Sequence, residues 1–132
     1  HIAEDMQIKI VYETPEIAFR VIGDYGRLRQ MFLIVLDNAV KFSDESQQVE
    51  VTLASEKKLC HVSIANYGTG IAEEDMPHIF DRFYKSDDEK NRKGTGLGLA
   101  IAKHIADRHG ISINVESQQN GITKFTFTIE IC

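Results

Sequence analysis

The chain has few of the features that mark secreted, membrane-spanning or nucleic-acid-binding proteins. Its two cysteines, Cys60 and Cys132, cannot form a disulfide framework and have no metal-site spacing. The longest apolar stretch, Met31 to Leu36, is too short to span a membrane, and the first residues show no signal-peptide pattern. Basic residues are outnumbered, 15 against 20 acidic, which argues against a nucleic-acid-binding domain. We therefore expect a cytoplasmic domain that makes no membrane contact.

The composition is that of an ordinary globular protein. Hydrophobic residues make up 42% and charged residues 27% of the 132 positions, close to the averages of soluble domains. A chain of this length holds one core, so we expect residues 1–132 to form one domain. The net charge of −5 does not exclude an anionic ligand, because local groups outweigh net charge at a site.

Apolar periodicity predicts both strands and helices. Alternating residues predict strands at 7–12, 49–54, 61–65, 111–116 and 124–131. An amphipathic helix over 25–43 is indicated by the apolar spacing of Leu28, Phe32, Val35, Ala39 and Phe42. Strands interspersed with helices indicate a layered α/β structure.

Two further helices are expected in the second half of the chain. An acidic start and Pro77 predict a short helix that runs to about Phe83. Another helix should follow residues 94–98 and stop with Gly110 at its C-cap. Between the two, residues 85–93 are charged and lack apolar side chains, which predicts a mobile loop.

Three glycines, Gly94, Gly96 and Gly98, stand before this last helix. Their unhindered N–H groups and the positive helix end suit phosphate binding. The spacing matches neither a Rossmann fingerprint nor a Walker motif, so from these glycines alone a plain hinge is an equal alternative.

Polar residues in apolar surroundings suggest a ligand site. Asn38 lies on an apolar helix, where it is either a hydrogen-bonded core residue or a hard-oxygen ligand for Mg²⁺. Lys41 on the same face is either solvated or a phosphate contact. The turn that follows Asn66 is either a simple strand connection or a place where a flat base approaches the backbone.

Four segments together resemble the N, G1, F and G2 boxes of sensor histidine kinases. They are Leu-Asp-Asn-Ala-Val-Lys-Phe-Ser at 36–43, Asn-Tyr-Gly-Thr-Gly-Ile at 66–71, Ile-Phe-Asp-Arg-Phe-Tyr-Lys at 79–85 and Gly-Thr-Gly-Leu-Gly-Leu-Ala-Ile-Ala-Lys at 94–103. The resemblance spans about residues 7–131. It implies a catalytic ATP-binding domain with an α+β, Bergerat-type fold, a two-layer sandwich whose mixed sheet packs against helices on one face.

The resemblance also implies roles for individual residues. Asn38 would hold Mg²⁺, Lys41 would contact phosphate, Phe42 would lie against the adenine of ATP, and Asn66 would recognise the base. Residues 85–93 would form the lid over ATP. Asn38, Lys41 and Lys85 would act in catalysis. The other implied nucleotide-binding positions are Gly68, Gly70, Ile71, Arg82, Tyr84, Lys85, Gly94, Thr95, Gly96, Leu97, Gly98, Leu99 and Thr123.

The sequence departs from the family pattern at three places. Asn66 replaces the usual Asp, which removes charge assistance and predicts about tenfold weaker binding and looser selectivity for adenine over guanine. Ile34 replaces a common Asn one turn before Asn38, which removes a polar group near the phosphates. The last glycine box keeps only Thr123 and Phe125.

The implied reaction is transfer of the γ-phosphate from Mg-ATP to a histidine. The protein's part in such a reaction is to position the reactants and to neutralise charge on the phosphates. None of the five histidines has the expected setting, so we expect the acceptor on a separate dimerisation domain N-terminal to this segment. The parent would be a homodimeric, membrane-anchored bacterial kinase that passes phosphate to a response regulator. The alternatives are a degenerate nucleotide-binding module that acts by docking, and a serine-directed anti-sigma kinase.

Overall fold

The computed structural model describes residues 9–13, 23–44, 48–84, 97–118 and 120–131. In these ranges one mixed sheet packs against two helices, which confirms the predicted α+β fold. The elements in chain order are β1 (Lys9–Glu13), α1 (Tyr25–Lys41), β2 (Gln48–Glu56), β3 (Leu59–Tyr67), α2 (Gly98–Arg108), β4 (Ser112–Ser117) and β5 (Ile122–Glu130), with a short 3-10 helix at Met76–His78 before α2.

The sheet has the order β1-β2-β3-β5-β4. β1 and β2 are parallel because α1 connects them, and the remaining neighbours are antiparallel. Two tight turns close the hairpins. Lys57 with φ 56° turns β2 into β3, and Asn120 with φ 57° turns β4 into β5. Both antiparallel pairs are therefore hairpins.

The core lies between one face of the sheet and the two helices. Alternate residues of β5, led by Phe125 and Phe127, point to the helices and are buried. On α1, the buried face includes Met31 and Val40, whereas Phe32 and Phe42 are only partly buried. The apolar spacing predicted for α1 therefore gives part of its buried face and omits Met31 and Val40. Phe32 packs edge-on against Phe127 of the sheet, with ring centroids 4.9 Å apart.

Helix ends differ from the predicted ones for local reasons. α1 stops at Lys41 rather than residue 43 because Ser43 leaves the helix to form a β-bridge with Gly68. α2 has its C-cap at His109, and Gly110 with φ 67° follows it rather than capping the helix itself. The predicted charged loop at 85–93 lies outside the described residues.

The predicted helix up to Phe83 was also wrong. Only the 3-10 turn Met76–His78 forms, because the hydrogen bonds in this segment run mainly between residues three apart, as from His78 N–H to the Asp75 carbonyl. Phe83 has φ 64°, which lies outside the right-handed helical region, so no helix continues through this residue.

Cys60 is buried in β3, and this burial raises the pKa of its thiol. The side chain therefore behaves as a small apolar group of the sheet. Across the described ranges, neither helix combines the length and the apolar character needed to cross a membrane.

Candidate functional site

The end of α1 and the end of β3 meet at one end of the sandwich. The Asp44 N–H donates to the Tyr67 carbonyl at 2.9 Å, and the Ser43 hydroxyl donates back to the Ala39 carbonyl at 2.6 Å. A methyl group on Gly68 would lie 2.1 Å from the Phe42 carbonyl oxygen, so only glycine allows this approach. The contact places the segments 36–43 and 66–71 side by side, as their predicted common role requires.

Asn66 lies in β3 on the face that points to the helices. It is opposite Val49 in β2 and Thr123 in β5, and the residue is only 5% exposed. The Asn66 amide makes no hydrogen bond to other described residues, yet every fully buried polar side-chain atom in those residues has a partner. The residue is nearly buried at the end of β3, two positions before Gly68, which bridges to Ser43.

Asn38 and Lys41 occupy the last turn and a half of α1. The Asn38 side chain is half-buried and makes no hydrogen bond within the described ranges. Its amide oxygen is a hard donor, and one such donor fits Mg²⁺, because this ion takes most of its ligands from water and phosphate. The Lys41 ammonium lies 5.5 Å from the centre of the Phe42 ring, a cation–π distance that keeps the charge at this end of α1.

The first turn of α2 faces the middle of α1. A methyl group on Gly98 would lie 3.4 Å from Ile34 Cγ2, and Ile34 is one helical turn before Asn38. The first N–H groups of a helix have no partner within it, and those of α2 adjoin the α1 face that carries Asn38, an arrangement suited to an anion. Leu97 and Leu99 flank this start and are partly buried. The predicted residues Lys85, Gly94, Thr95 and Gly96 lie outside the described residues.

The loop after β3 is held by the β4–β5 hairpin. Gly70 has φ 76°, and the N–H of Ile71 donates to the Ser117 hydroxyl at 2.8 Å. Ser117 is in turn hydrogen-bonded to the hydroxyl of buried Thr123 at 2.6 Å. Thr123, predicted to be a nucleotide contact, therefore helps to fix the loop that carries Gly70. Ser117 was missed because its loop partner is 46 residues away.

Ser117 provides a test of this support. Ser117→Ala leaves the Ile71 N–H without its partner, so we expect the free energy of unfolding to fall by about 1–2 kcal/mol. Urea denaturation measures this change. Ser112→Ala, at an exposed position of the same strand, is the matched control and should change stability by less than about 0.5 kcal/mol. Equal losses in both variants would contradict the support role.

The segment 75–84 forms a compact turn beside these loops. The Tyr84 hydroxyl donates to Asp75, and the His78 ring lies 5.1 Å from the Tyr84 ring. Phe80 anchors the turn by an edge-on contact with Phe125. Tyr84 was predicted to contact the nucleotide. Its hydroxyl donates a hydrogen bond to the Asp75 carboxylate, a partner that sequence reasoning missed. Arg82 is exposed.

Comparison with known proteins places this geometry in a family. The family of histidine kinase-, DNA gyrase B-, and HSP90-like ATPases matches residues 23–131. The chain therefore belongs to this ATPase family. Within the family it has the sequence and fold of the catalytic domains of sensor histidine kinases, as three relatives show.

One relative is the sensor histidine kinase YkoH of Bacillus subtilis (strain 168), 42% identical over 122 residues. Among solved structures, the catalytic domain of the histidine kinase ThkA is 32% identical with a TM-score of 0.82, covering 97% of this chain and 82% of that one. Another structure holds ThkA in complex with the response regulator TrrA. Full-length ShkA in complex with AMPPNP is 29% identical, with a TM-score of 0.86, over 99% of this chain and 27% of that one.

The curated relatives are much longer than the matched region. The match covers 91% of this chain but 26% of YkoH, and between 14% and 33% of the other sensor kinases of similar identity. The family therefore defines the catalytic ATPase domain, while the activity of a whole kinase is a matter for proposal.

Proposed function

We propose that this domain binds Mg-ATP and transfers the γ-phosphate to a histidine on a separate phospho-accepting and dimerisation domain. The observation that supports it most is a pair of contacts between the segments that carry the proposed groups. Ser43 bridges to Gly68, two residues after Asn66, and Gly98 of α2 adjoins Ile34, one helical turn before Asn38. This arrangement supplies groups for a base, a metal and a polyphosphate.

Each group has a distinct task in the proposed reaction. Asn66 would accept a hydrogen bond from the adenine amino group, and Phe42 and Ile71 would offer apolar surface to the base. Asn38 would hold Mg²⁺, which when bound would neutralise charge on the phosphate oxygens. Lys41 and the N–H groups at the start of α2 would hold the polyphosphate in place. The remaining predicted contacts are proposed on the same basis, namely Gly68, Gly70, Arg82, Tyr84, Lys85, Gly94, Thr95, Gly96, Leu97, Gly98, Leu99 and Thr123.

Partners follow from the relatives. ShkA was solved with a non-hydrolysed ATP analogue and ThkA with a response regulator, which supports ATP as the donor and a response regulator as the later acceptor. We further propose that the parent is a homodimer anchored in the bacterial membrane, with this domain in the cytoplasm.

A transfer assay tests the proposal directly. The purified domain is mixed with radiolabelled Mg-ATP and the phospho-accepting domain of its parent chain. We expect acid-labile, alkali-stable phosphate on the acceptor, as phosphohistidine requires. Acid-stable phosphate would indicate a serine-directed kinase instead.

A docking module that binds nucleotide weakly is the second candidate. Asn66 replaces the usual Asp and Ile34 replaces a common Asn, so the site lacks one charge and one polar side chain. It predicts measurable nucleotide binding without any labelling of the acceptor, so the same assay separates it from the kinase.

The Asn66 position allows a sharper test of base recognition. In Asn66→Asp, a carboxylate would accept the adenine amino group with charge assistance, so we expect about tenfold tighter ATP binding. GTP binding should weaken, because a carboxylate repels the guanine carbonyl oxygen, whereas the Asn66 NH₂ group can donate a hydrogen bond to it. Calorimetry with both nucleotides measures the change. Unchanged affinities for both would show that residue 66 does not contact the base.

A further inference from the structure

The first turn of α2 is its least anchored part. The buried residues of this helix, Ala102, Ile105 and Ala106, all lie in its second and third turns. In the first turn, Gly98 and Ile101 are exposed. A helix end with few buried contacts opens locally more often than the rest of the helix. The order of the first turn therefore depends on what packs against it.

The start of α2 has no side-chain cap of its own. The N-cap residue is Leu97, whose side chain has no oxygen that could accept from the first N–H groups, and the first turn has no acidic residue. The Ile101 N–H closes the turn by donating to the Leu97 carbonyl at 2.9 Å. Because capping adds little here, packing has to supply the order of this turn.

Ile34 of α1 provides this packing. A methyl group on Gly98 would lie 3.4 Å from Ile34 Cγ2, so the side chain lies against the backbone of the first turn of α2. Ile34 and Leu99 are both partly buried and pack against the hydrophobic core. Ile34 is also one helical turn before Asn38. The contact therefore joins the start of α2 to the face of α1 that is proposed to hold the metal.

We propose that Ile34 is a positioning residue, which holds the first turn of α2 in the conformation that receives the polyphosphate of ATP. The side chain has no polar atom, so it acts through Gly98 and Leu99 and not on the nucleotide. Apparent affinity falls with the fraction of molecules whose site is competent, so a preformed turn tightens binding. The inference rests on the proposed function, and it gives a task to the residue that replaces a common Asn.

Truncation of Ile34 tests this role. Ile34→Ala removes Cγ2 and every other atom beyond Cβ, so the first turn of α2 should open more often. We expect hydrogen exchange of the Ile101 N–H, followed by NMR, to accelerate by about fivefold. Exchange of the His109 N–H should stay unchanged, because this group donates to the Ile105 carbonyl at the other end of α2.

Nucleotide binding gives a second readout. Ile34→Ala should bind ATP about threefold more weakly in calorimetry, because fewer molecules have an ordered first turn. Adenosine has no phosphates, so its affinity, measured by NMR titration, should stay unchanged. A change that loosened the whole site would instead weaken the binding of both ligands.

Two further variants serve as controls. Ile34→Val keeps both γ carbons and loses only Cδ1, so it should retain most of the ATP affinity and of the Ile101 protection that Ile34→Ala loses. Leu33→Ala is a comparable truncation at the neighbouring position, where the side chain belongs to a residue that is 37% exposed. It should change neither ATP affinity nor the exchange of the Ile101 N–H.

Several results would overturn the inference. They are unchanged ATP affinity or unchanged Ile101 exchange in Ile34→Ala, an equal loss of adenosine affinity, equal effects of Ile34→Ala and Leu33→Ala, or a loss in Ile34→Val as large as in Ile34→Ala. An original domain that binds no ATP would overturn the inference together with the proposed function. Failure of the proposed function alone is recognised separately, because ATP would then bind with the same differences among variants but label no histidine on the acceptor.

Discussion

Replacing Asn38 with alanine is expected to slow phosphoryl transfer by on the order of 100-fold or more while the domain stays folded. The change removes the side-chain oxygen proposed to hold Mg²⁺, and a metal at a transferring phosphate contributes several kcal/mol to the transition state. Folding should not suffer, because the Asn38 side chain makes no hydrogen bond to described residues and alanine is the better helix former. Single-turnover labelling of the phospho-accepting domain measures the rate.

Nucleotide binding shows whether the loss acts through the metal. With Mg²⁺ present, Asn38→Ala should bind ATP more weakly than the original domain, and with EDTA the two should bind alike. Asp37→Ala is the matched control, since Asp37 is the neighbouring residue on the exposed side of the same helix. A comparable rate loss in Asp37→Ala, or the same affinity loss in EDTA, would contradict the role given to Asn38.

Gly68→Ala is expected to lower the free energy of unfolding by about 3 kcal/mol or more. The added methyl would lie 2.1 Å from the Phe42 carbonyl oxygen, and a backbone atom at the end of a packed helix cannot move aside cheaply. The bridge between Ser43 and Gly68 would open, so ATP binding should fall as well. Urea denaturation and calorimetry measure the two effects.

Gly26→Ala is the control with the opposite sign. Gly26 is exposed in the first turn of α1, and the nearest atom to a new methyl there is Asp24 Oδ1 at 3.5 Å. Alanine at this position should therefore raise stability by up to about 1 kcal/mol. If Gly68→Ala were as harmless as Gly26→Ala, the close contact between α1 and the loop after β3 would not exist in solution.

Local patterns predicted most of the fold because they depend on residues a few positions apart. The apolar spacing of three and four residues in α1 and the alternation of apolar residues in β5 are visible in the sequence, because backbone geometry fixes the helix and strand periods. The predictions were wrong where a contact with a distant segment determines the end of a helix or its buried face. Ser43 leaves α1 to pair with Gly68, and Met31 is fully buried whereas Phe32 is only partly buried. Neither outcome is visible in a window of neighbouring residues.

The sequence by itself determined the class of this domain, because the boxes around Asn38, Asn66 and Gly98 are contiguous and carry their chemistry in residue type and order. Only the tertiary structure decided what supports and surrounds them. The Ser117 hydroxyl reaches Ile71 across 46 positions, and His109 reaches Asp24 across 85. Such pairs depend on hairpin register and on how two helices dock, which are properties of the assembled core.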